Sequence, residues 1–220
     1  QALDRTAIDI RCTLDCNFDD ITLYQTEIGF DIDGPGVTEI MNSNIESTNI
    51  ALRGSGDGLL ILKESNFTSQ EKVMTLSGLD TEITGTNAQL SQGDGPAINV
   101  LEGQHDWNEF NVEKAYSSSD VTSVGIDAWY TSIQSTDLTT NGYSTGAIFE
   151  DSTLTAETAI FINGKTTGIY GIHSTFTFED LSTSTQQYGV RLADESHLQT
   201  STWTANLHNT PLLLEQDSSA

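Results

Sequence analysis

Cationic side chains are scarce in this sequence: 8 Lys and Arg stand against 32 Asp and Glu, a formal net charge of -24 over 220 residues. Nucleic-acid binding needs Lys and Arg to displace condensed counterions, so that class of partner is disfavoured, and anionic membrane surfaces with it. The acidic residues are dispersed rather than gathered in a tail, so they read as a solvated surface suited to high salt. Nowhere do 18 apolar residues run together, so membrane insertion as a helix is not expected. No long stretch keeps a 3.6-residue apolar period either. The chain begins at Gln1 with neither Met nor a signal peptide, which fits a processed start or a piece of a longer protein.

What the sequence does have is a long period. Leu23, Ile45, Phe67, Leu90, Phe110, Ile133, Leu154, Phe176 and Leu198 follow one another at intervals of 20 to 23 residues. A second column keeps pace: Ile8, Ile28, Ile50, Met74, Ile98, Ile126, Ala147, Ile169, Val190 and Leu212. Neither a helix nor one strand has such a period, so it is the length of a repeated unit. Around each member apolar and polar residues alternate, as in a strand with one buried face. The local forms are Ser-x-apolar-x-Ser/Thr, as in Ser65-Asn66-Phe67-Thr68-Ser69, and Gly-apolar-x-apolar, as in Gly189-Val190-Arg191-Leu192. Thr, Ile, Ser and Gly dominate, a strand-forming composition.

One coil of about 22 residues with two or three short strands is the unit of a parallel β-solenoid. A β-sandwich also has short, regularly spaced strands, but does not explain why spacings stay in phase along the chain. On the repeat period and the Gly-apolar-x-apolar form, the sequence resembles the right-handed parallel β-helix superfamily with pectate-lyase-like repeats. That resemblance implies an all-β fold, a right-handed parallel β-helix of about ten coils filling residues 1–220 as one domain. Relatives of that kind include polysaccharide lyases, phage tailspikes and surface adhesins.

Candidate sites sit where the repeat is irregular. The coil between Ile98 and Ile126 is the longest, and solenoid insertions emerge as loops on one face. Its surplus is expected in residues 101–109 and 114–120, so His105, Asp106 and Trp107, with Tyr116 and with Trp129 and Tyr130 a coil later, form a candidate ligand patch. Carboxylates and aromatic rings of this kind stack on and hydrogen-bond a sugar; equally, Trp107 can anchor a loop onto the solenoid. Asp31, Asp33, Asp57 and Asp94 lie in or beside Asp-Gly turns and are candidate Ca²⁺ ligands, although the same turns are explained by Asp-Gly turn chemistry. Cys12 and Cys16 can form a disulfide only if Thr13–Asp15 turn, because four residues of extended chain hold them roughly 13 Å apart. Asn66 heads a glycosylation sequon. An outward block of Thr153, Thr155, Thr175 and Thr177 is uniform enough to match a glycan or ice lattice only locally.

In the lyase members, the resemblance implies an Arg or Lys base with bound Ca²⁺; in the hydrolase members, clustered Asp with Gly-His-Gly and Arg-Ile-Lys elements. This sequence carries neither element, and its cations are scattered over different coils. No enzyme activity and no cofactor beyond calcium is therefore expected, with a polysaccharide lyase or a paired-carboxylate glycosidase as the alternative. An open β-helix exposes strand edges and core, and neither end offers a helical cap. The expected role is thus a structural module of an extracellular filament, appendage or adhesin, associating head to tail or continued by further chain. The alternatives are a glycan-binding β-helix and a tailspike-like fragment.

Overall fold

A computed structural model describes residues 5–93, 95–115, 123–185, 187–206 and 208–220. Among them are twenty strands and no helix, and the strands pair in parallel with their equivalents one coil away. The chain winds through three faces, here called A, B and C, and makes about nine turns, close to the ten expected.

Each face carries its own inward column. On face A it is Ile8, Phe30, Leu52, Met74, Ile98, Ile126, Ala147, Ile169, Val190 and Leu212. On face B it is Cys16, Thr38, Leu60, Thr81, His105, Ile133, Leu154, Phe176 and Leu198. On face C it is Leu23, Ile45, Phe67, Ala88, Val112, Thr140, Phe161, Thr183 and Ala205. Their apolar members, apart from the exposed Ala205, interlock into one continuous core along the solenoid.

These columns correct the periodic reading in two places. The first sequence column runs on face C from Leu23 to Phe67 and continues on face B from Ile133. Leu90 pairs with Ser69 and Lys114, and Phe110 pairs with Leu138, so neither stacks on Phe67. The interval from Phe110 to Ile133 matches a coil only because one coil is long, so an equal spacing concealed a change of face. In the second column, Ile28 and Ile50 stand two residues before the true members Phe30 and Leu52.

The corners are made by a recurring backbone device. Asn42 and Glu64 at one corner, and Asp151, His173 and Glu195 at another, adopt left-handed φ between 47 and 60°. A buried serine follows each of them. Its hydroxyl donates to a carbonyl two or three residues back and accepts the backbone N–H of the previous coil: Ser43 N to Ser65 Oγ at 3.1 Å, Ser152 N to Ser174 Oγ at 3.2 Å, Ser174 N to Ser196 Oγ at 3.0 Å. The Ser of the Ser-x-apolar motif is thus a corner staple rather than the start of a strand's pattern. Ser174→Ala leaves the Ser152 N–H buried without its acceptor and should cost about 1–3 kcal/mol in urea unfolding. The neighbouring exposed Thr175→Ala should change stability by less than about 0.5 kcal/mol, and equal losses would remove the ladder's importance.

At the N-terminal end, the Asp-Gly turns stack on one another. A Cβ at Gly36 would collide with the Leu14 carbonyl oxygen, and one at Gly58 with that of Gly36. Close backbone approach therefore explains these glycines. Cys12 and Cys16 are disulfide-bonded beside this stack, with Cα atoms 6.1 Å apart, because Thr13 and Leu14 bend the chain.

Candidate functional site

The segment expected to loop out is a strand. Pro96–Asn108 passes from face A to face B without interruption, and its alternation turns His105 and Trp107 inward and Asp106 outward. The expectation that His105 and Trp107 present themselves to a ligand is therefore corrected: both are buried. Leu90 pairs with Lys114 across a coil of nearly ordinary length, whereas Ile98 pairs with Ile126 across the longest one. The surplus length thus falls between Lys114 and Ile126, an interval that includes the second expected segment. Tyr116, like Asp94, lies outside the described residues.

Inside, these two rings form a polar chain with Thr81. Trp107 Nε1 donates to Thr81 Oγ1 at 2.8 Å, and that hydroxyl is 2.9 Å from His105 Nδ1. The His105 Nε2 lies 3.3 Å from the Glu102 carbonyl oxygen. With Nε2 protonated and Nδ1 bare, Thr81 accepts from the indole and donates to the imidazole, so every group is satisfied by a neutral histidine. Burial pushes the His105 pKa down to about 4. Thr81 and His105 pair on adjacent rungs across an interval slightly longer than the prevailing period, so a search at constant spacing passes over this contact.

Outside, face B bears a shallow polar trough. One stretch is lined by Asp80, Glu82, Gln104, Asp106, Ser132 and Gln134, and a second continues through Asn108, Thr136, Thr155, Glu157, Thr177, Glu179 and Gln199, sharing Asp106 and Gln134. Neighbouring rungs stand roughly 4.8 Å apart. Register therefore sets Glu82 beside Asp106, and Thr155 beside Thr177. The candidate Thr block is real but short: Ser132 and Gln134 flank it on one side, His197 and Gln199 on the other.

Trp129 and Tyr130 occupy the corner between faces A and B and are exposed. Trp129 pairs with Leu101 below and Glu150 above, and its Nε1 donates to Asp127 Oδ1 at 2.8 Å. Burial raises the Asp127 pKa. The expected patch thus separates into a buried pair, a trough carboxylate and a corner of aromatic rings.

The described members of the calcium set, Asp31, Asp33 and Asp57, do not converge either. Asp31 is held by Arg53 through Nε at 2.9 Å and a second nitrogen at 2.5 Å, and this pairing lowers its pKa. That bidentate guanidinium already neutralises the Asp31 carboxylate and competes with a cation for it. Asp33 accepts from Ser55 Oγ at 3.4 Å and faces Arg11 at 3.8 Å; Asp57 is exposed in the next turn. Among the described residues, no three His, Cys, Asp or Glu gather as a metal site. The sequon residue Asn66 belongs to an amide ladder, accepting from Asn87 Nδ2 at 3.0 Å, with Asn111 continuing it.

No family model, curated protein or solved structure matches the chain. The functional reading therefore rests on the geometry alone.

Proposed function

We propose that this chain is a non-catalytic structural module of an extracellular surface assembly, a right-handed β-helix of the pectate-lyase-like kind that stacks end to end. The observation carrying this reading is the state of the two ends. Among the described residues, Thr6–Arg11 pairs only with Thr22–Asp33, and Thr210–Leu214 only with Tyr188–Ala193. Ile8, Phe18 and Leu23 at one end, and Trp203 and Leu212 at the other, are only partly buried although they belong to the core columns or their neighbours. Open ladders beside an apolar cross-section are covered most readily by another rung, whether of further chain or of a second copy. Such a stack gives length and stiffness with a polyanionic exterior.

Negative-stain microscopy and light scattering across a concentration series test this. Rods lengthening in steps of roughly 45 Å, ten rungs at strand spacing, are expected. Leu212→Glu should reduce them to single units. Discrete monomers at every concentration would overturn the reading, and a closed trimer would replace it with a tailspike-like one. The trough on face B favours a second reading, glycan binding along its hydroxyl and amide rows. A glycan array on which binding falls with Gln134→Ala would promote it.

A further inference from the structure

Stacking leaves one group of exposed apolar side chains without an explanation. Among the described residues, Leu14 and Tyr24 lie in the first coil and Leu214 in the last, beside the open ends. Leu101, Trp129 and Tyr130 lie midway along the solenoid, exposed by 39, 37 and 57 %. No end contact reaches them.

Their setting is unusual for a corner of this fold. Asp151, His173 and Glu195 occupy the left-handed corner position on later rungs, polar side chains that solvent accepts. On this rung Tyr130 occupies it at φ 55°, a costly conformation for a bulky aromatic that stays more than half exposed. Trp129 is held by its bond to Asp127 and is still 37 % exposed. Glu102 is exposed on the rung below, and Glu150 pairs with Trp129 on the rung above. An electron-rich ring with acidic residues on the rungs below and above it is suited to a cation.

The molecule uses the same chemistry internally. Arg191 lies 4.6 Å above the Tyr170 ring centre while its Nε donates to Glu215 at 2.7 Å. There an aromatic ring on the rung below and a carboxylate on the rung above hold one guanidinium between them. The net charge of -24 also draws cationic partners from a distance.

We propose that this corner docks an arginine- or lysine-bearing segment of a partner protein. One cation lies on the Trp129 indole, Glu102 and Glu150 balance its charge, and Leu101 and Tyr130 pack its aliphatic stem. The proposal is independent of stacking, since the corner is distant from both ends.

The test is fluorescence anisotropy of labelled hexa-arginine with the full chain at physiological ionic strength, with cellohexaose competition as the neutral arm. Trp129→Ala should weaken hexa-arginine binding about five- to tenfold. Tyr130→Asn, which suits a left-handed corner, should weaken it severalfold while leaving the melting temperature unchanged or higher. Unchanged hexa-arginine affinity in both variants would show diffuse attraction to a polyanion and overturn the proposal. Cellohexaose binding lost in Trp129→Ala, with hexa-arginine unaffected, would also overturn it in favour of a sugar platform. A melting temperature lowered by Tyr130→Asn would make the aromatic corner a structural feature and overturn the docking role as well.

Discussion

Trp107→Ala should destabilise the protein by about 3–5 kcal/mol in urea unfolding, the range for removing a large aromatic from a packed core. Trp107 is fully buried, with Phe110 edge-on at 5.1 Å and His105 at 5.7 Å between ring centres. Its column explains how one rung holds so large a ring. Ile83 lies below, while Ser135 and Ala156 occupy the next two rungs, small side chains above a large one. The Ser135 hydroxyl also donates to the Trp107 carbonyl, so the two rungs are tied as well as packed. Deletion of the indole removes this packing and takes from Thr81 its N–H partner in a dry interior. Had Trp107 stood on a surface loop, the same substitution would change stability by less than about 0.5 kcal/mol and act on a ligand instead. A loss below about 1 kcal/mol would therefore contradict its place in the core.

The same residue shows what periodicity can and cannot convey. A column of apolar residues at constant spacing establishes that equivalent strands stack, because only stacking makes one position in each coil inward. It does not say which face a residue belongs to. Three columns run in parallel, each offset by part of a coil, so where the coil lengthens a jump from Phe110 to Ile133 imitates a full turn. Polar inward positions hide for a related reason. Thr38, Thr81, His105, Thr140 and Thr183 lie in the inward columns yet read as surface in a hydrophobicity pattern. His105 and Trp107 read as a binding patch because the surplus of the longest coil is expected over residues 101–109, yet the polar residues Gln104, Asp106 and Asn108 alternate with them. That alternation was itself the sign of a strand with both rings inside. The Asp31–Arg53 pair and the serine ladders join residues 22 apart, so one period links each donor to its acceptor. The corner of Trp129 and Tyr130 was legible as aromatic; only the backbone shows that Tyr130 stands at a left-handed corner.

The buried His105 makes acid the second strong perturbation. In the folded chain its pKa lies at about 4, lowered first by burial, whereas in the unfolded chain it returns to the ordinary value of 6.5. Between these two values the unfolded state binds the extra proton, so stability is full above pH 6.5, falls as the pH drops, and levels off near 4. A separation of this size corresponds to about 3 kcal/mol in all, most of it gone by about pH 4.5. Two other effects are separable from it. Asp31, whose pKa Arg53 lowers, contributes stability that is lost only as the pH falls from its ordinary 3.8 through the lower folded value, below this window. Protonation of surface carboxylates relieves self-repulsion and acts in the opposite direction in both wild type and variant. His105→Gln keeps a polar partner for Thr81 without a titrating ring. Its unfolding free energy should lack the His105 contribution between about pH 6.5 and 4.5, the wild type losing about 2.5 kcal/mol relative to it. Parallel pH profiles for the two proteins would mean that His105 takes up its proton without leaving the core. The neutral hydrogen-bond chain through Thr81 would then not be what holds that rung together.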